Sequence, residues 1–222
     1  MKESDIRFGK LLILVCGLVP LALLVWDQSH HRLGANPQNF LILTTGMMTL
    51  IFLVLTMAVT PLRKIAGLNW VIQFRRMLGL FAFFYGCLHF LCFFSLDRGF
   101  SISSTLTEML KRKYLILGGT ALLVMVPLAI TSTNGMIKRL GGKRWRALHR
   151  LAYVAAICGV IHYYMQVKAD TRQPLVFAGV LAVLLGYRLA VYWRQRKPPA
   201  PTPVIKPRAA ASDAETPDSV GQ

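Results

Sequence analysis

Histidine is the residue type in this chain that is best suited to chemistry. Three of the five histidines, His89, His149 and His162, lie inside or at the start of strongly apolar stretches, whereas His30 and His31 lie in a polar segment and should be exposed. An imidazole surrounded by hydrocarbon is costly unless it is paired or liganded. A neutral imidazole bound to haem iron meets that requirement, because the iron is the missing partner. The placement indicates a haem site, with polar contacts between helices as the alternative.

The apolar stretches that carry these histidines are predicted to be membrane-spanning helices. Of the 222 residues, 55% are hydrophobic and only 16% are charged, whereas soluble chains have roughly 25% charged residues. A spanning helix needs about 20 apolar residues. Six stretches approach or reach this length, at residues 11–26, 40–60, 77–96, 114–133, 151–167 and 174–193. We therefore predict an all-α bundle of six transmembrane helices.

The basic residues predict how the bundle is oriented. The chain has 26 Lys and Arg residues and a formal charge of +17, and most of these residues lie in the N-terminal segment, the second and fourth connections and the C-terminal tail. The positive-inside rule then places both termini in the cytoplasm of a bacterium, with the chain in the inner membrane. The apolar composition argues against a nucleic-acid partner. Because the first stretch lacks a small-x-small cleavage site, we expect a retained helix there.

Two of the histidines are predicted to form a pair near the outer face. His89 lies in the third predicted helix, 14 residues after Arg75, and His162 lies in the fifth, 12 residues after Arg150. Both helices run outward, so the two imidazoles should reach similar depths. Imidazoles at matching depth on two helices are what a bis-imidazole haem requires, and haem slots are commonly built between bundle helices.

His149 has a different setting at the inner face. It precedes His162 by 13 residues, which is roughly 20 Å along a helix axis. A second haem there would lack its second imidazole, because Arg75 and Arg76 occupy the expected position on the third helix.

The chain divides into two regions. Residues 1–196 are predicted to form the transmembrane haem domain, and residues 197–222, which are rich in Pro, Ala, Ser and Thr, are predicted to be a disordered cytoplasmic tail. No Asp or Glu lies within a predicted span, which disfavours a proton-coupled transporter, since proton relays commonly use carboxylates in the membrane.

Several segments together resemble a known family. They are RRMLGL and YGCLHF within residues 75–90, PLAITSTNG at 127–135, WRALHRL at 145–151, and HYY with KAD within 162–170. In order and spacing they resemble the ferric-reductase-like transmembrane superfamily. Within it, the chain most resembles the MsrQ (YedZ) family, the haem-binding membrane subunits of periplasmic methionine sulfoxide reductase systems.

The resemblance implies a function that the spacing does not show. It implies a b-type cytochrome that passes electrons to the periplasmic molybdenum enzyme MsrP, which repairs methionine sulfoxide in oxidised proteins. It implies that His89 and His162 are axial ligands of an outer haem and that His149 binds a second, inner haem. Arg75 or Arg76 stands where larger relatives have a fourth histidine, so the resemblance leaves one or two haem b groups. FMN is implied by the resemblance alone.

The source of the electrons and the exact activity stay open at this point. The chain carries no G-x-G-x-x-G fingerprint for a dinucleotide, so the donor is expected to be the quinone pool or a cytosolic flavin reductase. The chain would then be the electron-transfer subunit of an oxidoreductase, with no catalytic residue of its own. The alternatives are a stand-alone ferric or quinone reductase of the same fold, a small transporter, and a haem-free scaffold subunit.

Overall fold

The computed structural model describes residues 3–167 and 169–196, and this part of the chain is helical without any strand. The predicted tail, residues 197–222, lies outside the described residues. The α-helices are α1 (Glu3–Ser29), α2 (Pro37–Ile65), α3 (Arg75–Cys92), α4 (Ile102–Lys111), α5 (Lys113–Ile130), α6 (Asn134–Leu148), α7 (Leu151–Gln166) and α8 (Arg172–Arg196). A 3₁₀ segment, Asn69–Phe74, leads into α3, and a π-helical segment, Phe93–Asp97, follows it.

Five helices in the described part of the chain are long and apolar enough to cross a membrane. They are α1, α2, α5, α8 and the continuous segment Asn69–Asp97 that contains α3. The all-helical membrane bundle predicted from the sequence is therefore confirmed. The fifth predicted span corresponds to α7, which is apolar but has only 16 residues. Many apolar side chains on the outer surface of the bundle are exposed, such as Leu123 and Val183, as expected where lipid is the solvent.

Two helices were not predicted, because neither has an apolar stretch of spanning length. The first is α4, which begins at the cap residue Ser101, whose hydroxyl accepts a hydrogen bond from the Ser104 N–H at 3.2 Å. The second is α6, which is strongly basic and bends at Gly141, where φ is +73°. Short polar caps and a left-handed glycine turn explain how these connections become helical.

The core lies where α2, α3 and α7 pack together. The side chains of Tyr85, Ala82 and Ala155 have no exposed surface, and Met57 has almost none. The small residues allow close approach of the helix backbones, as is usual in membrane bundles. Tyr85 also fastens α1 to the bundle, since its hydroxyl donates a 2.7 Å hydrogen bond to the Gly17 carbonyl. The extensively packed pairs α2–α3 and α5–α7 together form the frame of the candidate site.

Candidate functional site

The structure brings together two of the predicted site residues, His89 of α3 and His162 of α7. Their ring centroids lie 6.0 Å apart with an angle of 80° between the ring planes. Two metal–nitrogen bonds of about 2 Å, plus about 1 Å from each nitrogen to its ring centre, give a separation of about 6 Å. The spacing of the two rings therefore fits one metal ion held between two imidazoles.

Hydrogen bonds to neighbouring helices fix which nitrogen of each ring can bind a metal. His89 Nδ1 lies 2.8 Å from the Ile42 carbonyl oxygen in α2, and His162 Nδ1 lies 2.6 Å from the Tyr114 carbonyl oxygen in α5. A carbonyl oxygen only accepts, so Nδ1 must donate its proton in both cases. Each Nε2 then carries the lone pair, which is the usual second-shell arrangement of a metal-binding histidine.

Two glycines make room for the rings. A Cβ on Gly46 of α2 would lie 3.0 Å from His89 Nδ1 and Cε1, and a Cβ on Gly118 of α5 would lie 2.8 Å from His162 Nδ1. Contacts this short leave no space for a methyl group unless the imidazole moves. Glycine at these positions is therefore a condition for the observed ring placement.

The two halves of the site are built in the same way. On α2, Gly46 lies four residues after Ile42, and on α5, Gly118 lies four residues after Tyr114. Because successive helical turns place such residues on one face, each histidine rests on a glycine while its Nδ1 bonds to the carbonyl one turn earlier. This shared spacing was not predicted from the sequence, although it can be seen there once it is known which helices pack together.

A second pair of glycines also occupies matching positions in the two halves of the site. Gly86 and Gly159 each precede a site histidine by three residues. A Cβ on Gly86 would lie 3.3 Å from Leu122 Cδ1, and a Cβ on Gly159 would lie 3.0 Å from Leu50 Cδ2. One helix of each pair, α3 or α7, therefore approaches a leucine of the other pair closely.

A cavity of about 380 Å³ opens beside the two rings and is lined mainly by apolar side chains. Its outer end is polar, with Arg98 and Arg112 among the lining residues. Arg98 pairs with Asp97 at 2.6 Å and with Glu108 at 3.6 Å, and Arg112 also pairs with Glu108. The site thus combines an apolar interior with a mouth where arginines and carboxylates are paired, which suits a mostly apolar ligand with polar groups at one end.

Comparison with known proteins identifies the family. The sequence model of the family described as "Ferric reductase like transmembrane component" matches residues 42–160. The chain is 47% identical over 189 residues to a protein of Herminiimonas arsenicoxydans named "Protein-methionine-sulfoxide reductase heme-binding subunit MsrQ", with 84% of this chain and 87% of that protein covered. The chain belongs to the MsrQ family. A Rhodospirillum rubrum protein with the same name is 46% identical over 200 residues, covering 89% of this chain and 94% of its own length.

The matched region of the family model contains two of the three predicted site histidines. The family model includes His89 and His149 but ends two residues before His162. A Ralstonia nicotianae MsrQ is 45% identical over 196 residues, covering 87% of this chain. The pairing of His162 with His89 is seen in the geometry of the two rings.

His149 lies apart from the other two histidines, at the turn between α6 and α7. Its Nδ1 lies 3.1 Å from the Trp145 carbonyl oxygen one turn earlier, and its ring stacks on the Trp145 indole with centroids 3.9 Å apart. Burial lowers the pKa of His149 below the usual histidine value, and the nearby positive charge of Arg75 lowers it further, against the Trp145 hydrogen bond, which raises it. The lowered pKa favours the neutral imidazole, and Nε2 of His149 is buried without a hydrogen-bond partner in the described structure.

The two arginines proposed to stand opposite His149 have different interactions. Arg75 interacts electrostatically with His149. The Arg76 guanidinium instead donates a 2.6 Å hydrogen bond to Asn134 Oδ1 at the start of α6. His30 and His31 are both exposed, as expected, and His30 stacks on Trp26 with centroids 4.2 Å apart.

Proposed function

We propose that this chain binds haem b between His89 and His162 and serves as the membrane electron-transfer subunit of a methionine sulfoxide reductase system. The observation that carries the proposal is the ring pair itself, 6.0 Å apart, with both Nδ1 atoms bonded to carbonyls of neighbouring helices. No cluster of three or more His, Cys, Asp or Glu occurs in residues 3–167 and 169–196. Two imidazoles would suffice to hold haem, because its iron brings four nitrogen ligands of its own.

The residues around the ring pair have distinct proposed roles. Bound haem would supply one-electron redox chemistry. The Ile42 and Tyr114 carbonyls orient the imidazoles and raise their basicity, since hydrogen bonds from Nδ1 strengthen a histidine as a metal ligand. Arg98 and Arg112 at the cavity mouth would pair with the haem carboxylates, because guanidinium groups form strong charge-assisted hydrogen bonds with carboxylates.

The proposed topology has six spans in the bacterial inner membrane, with both termini in the cytoplasm. Five helices have the required length, and the shorter apolar helix α7 would be the sixth span. Although its 16 residues extend only roughly 24 Å, α7 packs along α5 and carries His162 into the site. The positive-inside rule then places the ring pair towards the periplasm and His149 towards the cytoplasm.

The proposed electron route runs from the inner face to the periplasm. The donor is the quinone pool or a cytosolic flavin reductase, and the acceptor is the periplasmic molybdenum enzyme MsrP. At the inner face, a second haem or FMN would bind near His149 and Arg75. The proposal of FMN rests only on the family resemblance. The relatives named MsrQ are haem-binding subunits of a methionine sulfoxide reductase by their names, and this supports haem binding by this chain.

Optical spectroscopy of the purified full chain tests the haem proposal. We expect a reduced-minus-oxidised b-type spectrum with at least one haem per chain, and the same haem content in a His30→Ala, His31→Ala control. A chain that purifies colourless after expression with sufficient haem would contradict the proposal and favour a scaffold or transporter.

Electron transfer by the chain in lipid vesicles tests the partner. With a quinol or a reduced flavin reductase as donor, we expect re-oxidation that depends on added MsrP and a methionine sulfoxide substrate. Equally fast re-oxidation by a soluble ferric chelate without MsrP would favour a stand-alone ferric reductase.

A further inference from the structure

The short helix α4 lies at the outer end of the bundle, between two segments of spanning length. The segment Asn69–Asp97 ends shortly before α4, which begins at Ile102, and only Arg112 separates α4 from α5, which begins at Lys113. The 10 residues of α4 extend roughly 15 Å, which is too short to cross a bilayer. Both ends of α4 are therefore held at the level where the neighbouring spans leave the hydrocarbon.

One side of α4 carries a continuous apolar stripe. Ile102, Leu106 and Met109 follow the i, i+4, i+7 spacing that places residues on one face of a helix, and Leu110 lies one turn after Leu106. Met109 is half-buried. The other three residues are exposed by 68%, 53% and 74% in chain order, and we call these three the α4 stripe. The structure thus leaves most of an apolar helix face uncovered by protein.

The contact of Met109 shows which way this side of α4 is turned. A Cβ on Gly119 of α5 would lie 2.6 Å from Met109 Cε, so the end of the Met109 side chain rests against that glycine. Gly119 comes six residues after Lys113, where α5 begins, which is roughly 9 Å along the helix axis. The side of α4 that carries Met109 is therefore directed towards the apolar depth of the bundle, and the α4 stripe adjoins it.

The opposite side of α4 is polar and is fixed by ion pairs. Glu108 pairs with Arg98 at 3.6 Å and with Arg112. These two arginines lie before and after the helix, so the carboxylate is held from both ends. The pairs oppose rotation of α4 about its axis, because rotation would separate Glu108 from at least one arginine. The apolar and polar sides of α4 therefore keep their directions.

We propose that α4 is an in-plane membrane anchor, whose stripe inserts into the outer leaflet of the bilayer and whose lysines bind anionic lipid headgroups. Lys111 and Lys113 are exposed, and none of the ion pairs in residues 3–167 and 169–196 includes either of them. Interfacial helices bury an apolar face at the boundary between headgroups and acyl chains, and basic side chains attract anionic lipids to them. Lysine is suited to this position because its long stem lets the ammonium reach the headgroups.

The anchor also bears on the cavity beside the two histidines, because α4 forms part of its wall. Met109 of α4 and the adjacent Arg112 both line that cavity. Contact of the α4 stripe with lipid would hold this wall against α5. The anchor itself does not require bound haem, so its test is independent of the proposed function.

Photocrosslinking of the full chain in native membranes tests the anchor. The photoreactive p-benzoylphenylalanine replaces Leu106 in one variant and Thr107 in the other, which is a matched control because Thr107 is also exposed but lies outside the stripe. We expect a phospholipid adduct, detected by its mass, about tenfold more abundant at Leu106 than at Thr107. A protein adduct at Leu106, whether with a periplasmic partner or with a second copy of the chain, would overturn the proposal. Equal lipid adducts at the two positions would do the same.

The lipid in the adduct tests the role of the lysines. In vesicles with equal amounts of phosphatidylglycerol and phosphatidylcholine, we expect the Leu106 adduct to contain mainly phosphatidylglycerol. The preference should disappear when Lys111→Gln and Lys113→Gln are combined, and it should remain in Arg32→Gln, which removes an exposed cation from another connection. No preference in the parent, or a preference that survives the loss of both lysines, would contradict headgroup binding by these residues.

A folding control keeps both tests decisive. Size-exclusion chromatography in detergent reports whether each variant is monodisperse, and it does so whether or not haem is bound. If the Leu106 variant aggregates, the photoreactive residue replaces Leu110 instead, which is also exposed in the α4 stripe. Thr107 stays the control, and the same adducts support or overturn the proposal.

Discussion

The outer and inner halves of the bundle hold histidine in different ways. In the outer half, His89 and His162 bond to carbonyls 47 and 48 residues away, on neighbouring helices. In the inner half, His149 bonds to Trp145 within its own helical turn, and the positive charge of Arg75 acts on the imidazole. The outer rings are thus fixed by the packing of the whole bundle, whereas the inner ring is fixed locally. The two imidazoles come together where neighbouring helices supply both the partner ring and the carbonyl that orients each ring.

The largest expected effect comes from removing an outer imidazole. His89→Ala or His162→Ala should abolish haem binding at the outer site, because one axial bond and its orienting hydrogen bond are both lost. His149→Ala should leave that haem in place. Haem counted per chain and the Soret absorbance measure the difference. The distinction between the halves fails if His149→Ala removes the outer haem as completely as His162→Ala does.

The next effect concerns the space beside the outer rings. In Gly118→Ala the new methyl group would lie 2.8 Å from His162 Nδ1, so the ring must move and haem occupancy should fall several-fold. Gly179→Ala on α8 is the matched control, since no atom lies within 4 Å of its added Cβ. Haem titration of the two purified variants makes the measurement. Equal haem affinities would show that the close fit of Gly118 is not needed.

A smaller effect is expected from changing Trp145, the residue that contacts His149 in the inner half. Trp145→Phe removes the 2.9 Å hydrogen bond from the indole N–H to the Thr131 carbonyl and part of the stacking on His149. We expect a loss of about 1 kcal/mol in the free energy of unfolding, the usual net value of one hydrogen bond. The outer haem spectrum should not change, and a shifted spectrum would mean that the two halves are coupled.

The smallest effect is a pH dependence of stability. The folded-state pKa of His149 lies below its ordinary value, so the unfolded chain takes up the proton first as the pH falls. The contribution of His149 to the free energy of unfolding is fully present above about pH 6.5. It is lost as the pH falls from there through the folded-state pKa. The drop in apparent Tm between pH 7 and pH 5 should be smaller in His149→Gln than in the parent. An equal drop would show that another group is responsible.

Much of the fold was predictable from the sequence, because a bilayer imposes simple rules on length and composition. Apolar stretches of about 20 residues indicate spans whatever their detailed packing. The helices α4 and α6 escaped prediction because they are short and polar, and their ends depend on the caps at Ser101 and Thr133. The histidines at 89, 149 and 162 were also recognisable, since imidazoles are unusual in apolar stretches.

The rest of the site depended on which helices are neighbours. The sequence alone predicted a membrane helix bundle and the matching positions of His89 and His162 along their helices, because hydrophobic length and the 1.5 Å rise per residue follow from local chemistry. The packing of the helices decided that Gly46 and Gly118 contact the imidazoles, that Arg76 bonds to Asn134, and that Arg188 bonds to the Met57 carbonyl. Those outcomes depend on the rotation of each helix about its axis, which is set by side-chain packing between segments far apart in the chain.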